Sequence, residues 1–138
     1  KIDENKLQSE DASLAVSIAG ANANSEKFYV FARHLINMYK QEYNVIVSGR
    51  DLMKIYPNLN YHFLITASLE ERIKRKMKQY GEDSNYKEIK QNITKRDELQ
   101  EKAGYYKVYY NTIKVDVTDC ETVEQSTNKV FKYLKEFN

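Results

Sequence analysis

The run from Tyr61 to Ser68, "YHFLITAS", is the feature that most constrains the fold, because it leads directly into a helical pattern. The run is short, mostly apolar and uninterrupted, which is typical of a strand covered on both faces in a parallel sheet. In the following "SLEERIKRKMKQYG", Ser68 can cap a helix whose first turn contains Glu70 and Glu71. A strand that passes into a capped helix predicts α/β construction.

The remaining segments fit the same architecture. The runs 44–48 ("NVIVS") and 112–118 ("TIKVDVT") predict two further strands. Apolar periodicity predicts a helix over 25–41 and a second helix from a cap at Asp83 or Ser84 to about Lys102. A third helix is predicted to follow a capping box formed by Thr118 and Glu121 and to extend to Phe137. We therefore expect one α/β domain over residues 1–138, with a parallel sheet flanked by helices.

Residues 1–24 are the least defined part of the chain. Leu14 and Ile18 stand at helical spacing before Gly20, which predicts a short helix near 10–19. The alternative is an arm that packs only against sequence outside the chain.

Composition excludes several classes of protein. The 22 basic and 20 acidic residues give a net charge of +2, too small to predict nucleic-acid or membrane binding. No run approaches the ~18 apolar residues that span a bilayer. Cys120 is the single cysteine, so an internal disulfide and a cysteine-built zinc site are excluded. We expect a cytoplasmic protein without a metal site built from its own side chains.

The helix after Ser68 carries a cluster of cations. Arg72, Arg75 and Lys76 share roughly one face, and a row of cations there could neutralise a polyphosphate. The alternative is a solvated face whose charge is balanced by Glu70 and Glu71.

Two Arg-Asp pairs, Arg50 with Asp51 and Arg96 with Asp97, follow different elements. Together they could present guanidinium groups to a phosphate while the carboxylates orient them. Taken singly, each pair is more typical of a surface ion pair.

The order of these motifs resembles the cytidylate kinase family of P-loop nucleoside monophosphate kinases over residues 45–137. The resemblance is carried by "GRD" at 49–51, Pro57, "FLITASLEERIKRK" at 63–76, "EIKQNITKRD" at 88–97 and the late "IKVDVT" strand. It implies transfer of the γ-phosphoryl group of ATP, with Mg²⁺, to a (d)CMP-like nucleoside monophosphate.

The resemblance also implies roles for the charged residues. Arg50, Asp51 and Asp97 would bind the acceptor, and Arg96 would reach the transferring phosphoryl group. Lid-like helices over 69–102 would bring Arg72, Arg75 and Lys76 over the ATP phosphates, with Arg75 also acting in catalysis. Phosphoryl transfer depends mainly on charge neutralisation and alignment, which such side chains supply.

The chain departs from the family pattern in its phosphate loop. None of its four glycines begins or ends a GxxxxGK[ST] motif, whose backbone N–H groups and lysine hold the phosphates. We therefore expect a C-terminal part of the fold that lacks the P-loop strand and is inactive alone.

The acceptor side departs as well. Ser48 replaces an aspartate before Gly-Arg, and Gln100 and Ala103 replace the aspartate and arginine that recognise the acceptor. Tyr105 and Tyr106 could stack on a base or simply pack. Two alternatives stay open. The chain could be a non-catalytic regulatory or dimerisation module that forms a homodimer, or part of a kinase for another small acceptor.

Overall fold

The computed structural model describes residues 26–81 and 83–134, together with the single positions Asp11 and Ala15. Among these residues the elements follow one another as α1 Glu26–Tyr39, α2 Leu52–Ile55, β1 His62–Thr66, α3 Leu69–Tyr80, α4 Tyr86–Lys102, β2 Thr112–Asp116 and α5 Val123–Phe131. Asp11 and Ala15 are helical, and the rest of the helix predicted near 10–19 lies outside the described residues.

The chain divides into two compact units. Unit 1 comprises residues 1–59 and 95–107, and unit 2 comprises residues 60–94 and 108–138. A single domain over residues 1–138 stays a prediction.

Unit 2 is built on two parallel strands. Strand β1 pairs with β2 in a register that runs from His62 opposite Thr112 to Thr66 opposite Asp116. Val117 N–H donates to Thr66 O at 2.8 Å and extends the ladder past the last pair. A parallel pair requires a long crossover connection, which contains helices α3 and α4. The predicted α/β fold class, with a parallel sheet flanked by helices, is confirmed.

Two apolar clusters stabilise unit 2. Val115, Val117 and Cys120 form the buried centre of the first, and Phe63, Ala67, Ile113 and Val130 pack against them. Ile73, Ile89 and Ile93 form the second, between α3 and α4, with Leu69, Met77 and Tyr80 around them. These side chains form the apolar contact between the two helices.

Helix α3 begins where the sequence predicted. The Ser68 Oγ accepts a hydrogen bond from Glu71 N–H at 3.2 Å. Helix α4 begins slightly later than the predicted Asp83 or Ser84 cap, because Asn85 Oδ1 accepts from Glu88 N–H at 3.2 Å.

The predicted Thr118 and Glu121 capping box is wrong. Thr122 Oγ1 accepts from Gln125 N–H at 3.2 Å, and Gln125 Oε1 accepts from Thr122 N–H at 3.3 Å. Thr118 is engaged elsewhere, since its Oγ1 accepts from Ser68 N–H at 2.9 Å. The chain therefore makes one more turn before α5, and Val123, the first residue of that helix, is 84% exposed.

Unit 1 contains α1 and α2. Arg33 on α1 donates from Nε to Ile55 O at 2.7 Å and from Nη2 to Lys54 O at 3.0 Å. These carbonyls close α2, so Arg33 satisfies acceptors that a helix end leaves without intrahelical partners. Ile36 and Ile55 are buried.

The strand predicted over residues 44–48 is wrong. This segment has no strand pairing among the described residues, and Ile46 is 90% exposed. An apolar run becomes a strand only when a neighbouring strand supplies partners for its N–H and C=O groups. No described segment supplies them here.

The cluster between α3 and α4 gives a stability prediction. Ile93 is 1% exposed, so Ile93→Ala should lower the free energy of unfolding by about 2–5 kcal/mol. Ile46→Ala, at the exposed segment, should change it by at most about 0.5 kcal/mol. Urea denaturation of the 138-residue chain measures both, and equal losses would contradict the assignment of the core.

Candidate functional site

The first Arg-Asp pair lies in a turn just before α2, where its carboxylate has structural partners. Asp51 has φ 61°, a left-handed conformation that aspartate tolerates better than most residues. Tyr29 Oη donates to Asp51 Oδ2 at 2.6 Å, and Lys54 Nζ lies 3.3 Å from the same oxygen. Asp51 is 9% exposed. Its carboxylate therefore holds the turn that carries Arg50.

The second Arg-Asp pair lies on the last part of α4, within unit 1. Gly104, with φ +79°, reverses the chain after this helix, and Tyr105 N–H donates to Gln100 O at 3.0 Å. The reversal brings Tyr106 back beside the helix, where its Oη donates to Asp97 Oδ1 at 3.3 Å. Arg96 is half-buried one position earlier.

Gln100 connects the two pairs. It is 1% exposed, and its amide is hydrogen-bonded to Tyr106 Oη. With Nε2 donating to that oxygen, Gln100 Oε1 accepts from Arg50 Nη1 at 3.0 Å and from Arg50 Nη2 at 2.9 Å. The structure thus brings Arg50 and Asp97 into one cluster with Gln100 and Tyr106, which we call the Arg50 cluster.

Electrostatics keep the phenol of this cluster protonated. Burial raises the pKa of Tyr106 above its usual value, and the Asp97 carboxylate raises it further, while Arg50 and Arg96 act in the opposite direction. A neutral phenol can donate to Asp97 and accept from Gln100 at the same time.

Sequence reasoning recognised Gln100 only as a departure from the family pattern. One signal could have found its role: Asp97 and Gln100 stand at i and i+3 on a helix that ends at a glycine two residues before Tyr106. That spacing places both side chains on the face to which the reversed chain returns.

The predicted lid cations lie in unit 2 and have local partners. Arg75 donates from Nη2 to Val117 O at 2.7 Å and to Cys120 O at 2.9 Å, and from Nε to Glu71 Oε1 at 3.0 Å. Lys76 Nζ donates to Tyr80 Oη at 3.0 Å and lies 4.9 Å from the centre of the tyrosine ring. Arg72 is half-buried on the same helix.

The contacts of Arg75 join α3 to the turn that follows β2. We call this turn, residues 117–120, the Arg75-bound turn. Its carbonyls accept from a guanidinium that an acidic residue on the same helix also orients, so Arg75 has a structural role in unit 2 whatever else it does.

A groove of unit 2 lies beside α3 and is lined by Ser68, Glu70, Glu71, Ile73, Lys74, Met77, Tyr86 and Thr118. Tyr86 Oη donates to Glu70 Oε2 at 2.9 Å across it. Two carboxylates make this groove unfavourable for a polyphosphate, and its lining includes none of the predicted phosphate-binding residues.

The described residues contain neither a group of metal ligands nor a helix that could span a membrane. No group of three or more histidine, cysteine, aspartate or glutamate side chains in this part of the chain is arranged to hold a metal ion. None of the helices described is both long and apolar enough to cross a bilayer.

Comparison with known proteins places the chain in a family. The family model for cytidylate kinase matches residues 2–136. A cytidylate kinase from Thermotoga petrophila is 29% identical over 140 residues, which cover 95% of this chain and 60% of the relative. The cytidylate kinase of Caldanaerobacter subterraneus subsp. tengcongensis is 33% identical over 98 residues, which cover 67% of this chain and 43% of that relative. The cytidylate kinase of Clostridium perfringens (strain SM101) is 40% identical over 72 residues, which cover 47% of this chain and 33% of that relative.

The chain belongs to the cytidylate kinase family, since the family model matches nearly its whole length. It spans 60% of the length of the Thermotoga relative. No solved structure matches the chain.

The contacts of Arg75 predict a stability effect. Hydrogen bonds to a charged group contribute about 1.5–3 kcal/mol, so we expect Arg75→Ala to lower the free energy of unfolding by an amount near the bottom of that range, given partial exposure. Arg75→Lys should recover part of the loss, because an ammonium reaches fewer acceptors. The neighbouring Lys74, whose side chain is 79% exposed, supplies the control Lys74→Ala. Equal stability of R75A and K74A in urea would refute the structural role.

The Arg75-bound turn also predicts a pH dependence. Hydrogen bonding from Lys129 lowers the pKa of Asp119, and Lys129 Nζ also donates to Asp116 O at 2.9 Å. A lowered carboxyl pKa gives stability that is present above the unfolded value and lost as pH falls through the folded value.

The melting temperatures of the wild type and Lys129→Met should therefore differ near pH 6 and converge as the pH falls through the lowered pKa of Asp119, where the carboxylate becomes protonated. Melting curves at a series of pH values measure this convergence, with Lys132→Met as the control. A difference independent of pH would argue against the ion pair.

Proposed function

We propose that the chain is part of a nucleoside monophosphate kinase that transfers the γ-phosphoryl group of ATP, with Mg²⁺, to a (d)CMP-like acceptor. Membership of the cytidylate kinase family supports the reaction class. The observation that carries the acceptor site is the Arg50 guanidinium, held by a buried amide within 3.0 Å and joined through it to the second Arg-Asp pair.

In this proposal Arg50 binds the acceptor phosphate, and Asp51 fixes the turn that presents it. Asp97 orients the acceptor site through Tyr106, and Arg96 neutralises charge on the transferring phosphoryl group. A guanidinium presents two parallel N–H donors that match phosphate oxygens, which suits Arg50 to this role.

Arg72, Arg75 and Lys76 are proposed to neutralise the ATP phosphates, with Arg75 assisting transfer. For Arg75 this role requires its guanidinium to share or exchange its contacts with the Arg75-bound turn. Arg72 and Lys76, on the same helix, are proposed to bind ATP beside it.

The 138 residues do not supply a complete ATP site in this proposal. The printed sequence contains no GxxxxGK[ST] motif, and the described residues form no acidic group that would hold Mg²⁺. We therefore propose that these residues alone bind an acceptor nucleotide without phosphorylating it.

A second candidate, a kinase for another small acceptor, is favoured by Gln100, whose amide is committed to Arg50 and Tyr106. The location proposed for either kinase is the cytoplasm, and the proposed partner is a small nucleotide. A non-catalytic dimerisation module is the remaining alternative, favoured by the exposed aromatic rings of Phe28 and Phe31 on α1.

Calorimetric titration of the 138-residue chain with CMP, dCMP and UMP tests the acceptor site. We expect binding of at least one of them and a loss of about tenfold or more in affinity for Arg50→Ala, since a charge-assisted hydrogen bond contributes 1.5–3 kcal/mol. Lys27→Ala removes the same charge from an exposed position of α1 and should leave the affinity unchanged.

Three results would count against the proposal. If none of the three nucleotides binds, the proposed acceptor site is wrong. A dimer in sedimentation whose stability does not change when nucleotides are added would favour the dimerisation module. Phosphorylation of CMP by this chain with ATP and Mg²⁺ would overturn the predicted inactivity.

A further inference from the structure

We propose that Gln100 is a positioning residue that holds Arg50 through a neutral amide and so leaves the full guanidinium charge available to a phosphate monoester. This inference rests on the proposed acceptor site and adds the residue that sets its charge. It starts from the Arg50 cluster of unit 1, defined above by Arg50, Asp97, Gln100 and Tyr106.

The burial of Gln100 makes its hydrogen bonds obligatory. At 1% exposure, an amide without partners would lose its bonds to water without compensation. Both polar atoms of the amide have partners: Nε2 donates to Tyr106 Oη, and Oε1 accepts from Arg50 Nη1 at 3.0 Å and Nη2 at 2.9 Å. The amide oxygen therefore accepts hydrogen bonds from two nitrogens of one guanidinium.

Tyr106 fixes which way the amide points. Its Oη donates to Asp97 Oδ1 at 3.3 Å, so the same oxygen is left to accept from Gln100 Nε2. Donation in the other direction would turn the amide nitrogen toward Arg50, where two sets of donors would face each other. The series of hydrogen bonds from Asp97 through Tyr106 and Gln100 to Arg50 thus has one orientation in which every donor faces an acceptor.

The charge of the partner decides what Arg50 can still bind. A carboxylate at the Gln100 position would form a bidentate ion pair with the guanidinium and cancel its charge. A neutral amide accepts the same two hydrogen bonds and cancels none of it. Asp51, the adjacent acidic residue, directs its carboxylate to Tyr29 and Lys54. Asp97 is linked to Arg50 through Tyr106 and Gln100.

The ligand class follows from this arrangement. A fixed, solvent-accessible guanidinium with its charge intact suits a dianionic phosphate monoester, which offers several acceptor oxygens. A nucleoside monophosphate and inorganic phosphate share this chemistry, so both serve as probes.

Gln100→Glu tests the charge while keeping the shape. The carboxylate can still accept from Arg50 and can accept from Tyr106, so the chain should fold, and its melting curve checks this. We expect the affinities for CMP and for inorganic phosphate to fall by about tenfold or more, together with a weaker dependence of affinity on salt concentration. Gln91→Glu adds the same charge at an exposed position of the same helix and should change neither quantity.

Gln100→Leu separates positioning from charge. It removes the hydrogen bonds and leaves the guanidinium charged, so affinity should fall while the salt dependence stays close to that of the wild type. A purely structural role for Gln100 would change the salt dependence equally in the two variants. If Q100E does not fold, Tyr106→Phe supplies the test, because it releases the amide and should weaken CMP binding several-fold.

The outcomes separate this inference from the proposed function. Binding of CMP that is equally tight in the wild type and Q100E would overturn the inference and leave the proposed function standing. Binding of phosphate but not CMP, with the predicted loss in Q100E, would support the inference and contradict the nucleotide acceptor. Absence of binding for both probes would overturn both.

Discussion

The parallel pairing of β1 with β2 is the interaction on which unit 2 depends. It joins residues that lie 50 positions apart in the chain, from His62 opposite Thr112 to Thr66 opposite Asp116. The two strands end side by side, so Ser68 and Thr118 meet there through the hydrogen bond from Ser68 N–H to Thr118 Oγ1 at 2.9 Å. From that edge α3 begins, and its Arg75 returns to bind the turn after β2. Backbone pairing, helix capping and a half-buried cation contact thus support one another in the same place.

The Arg50 cluster shows how a small group of side chains can control charge without a metal or a disulfide. A carboxylate stabilises a left-handed turn, a neutral amide grips the neighbouring guanidinium, and a phenol with a raised pKa fixes the amide. In the proposed acceptor site, these contacts hold the positive charge of Arg50 in position without cancelling it. This arrangement gives Gln100 a physical role, since its buried amide is part of the support for Arg50.

Much of unit 2 could be predicted from the sequence because its signals are local. The apolar run before Ser68, the serine cap and the spacing of Ile73, Ile89 and Ile93 each specify their own element and its buried face. The errors arose where a structure depends on distant partners. Residues 44–48 have the composition of a strand, but composition supplies no neighbouring strand. Thr118 has the spacing of a cap, but Ser68 engages its hydroxyl. The Arg75 contacts and the Gln100 amide could not be predicted for the same reason, since each joins segments far apart in the chain.

The central claim is that Arg50, held by Gln100, is the group that meets the acceptor phosphate. Side-chain NMR of the 138-residue chain during titration with CMP tests it most directly, since the Nε–H signals of arginines and the amide signals of glutamines can be followed one by one. The account predicts that the Arg50 and Gln100 side-chain signals shift together and saturate at one CMP concentration, while the Arg75 signal stays in place. Shifts confined to Arg72 and Arg75, with Arg50 and Gln100 unchanged, would contradict it.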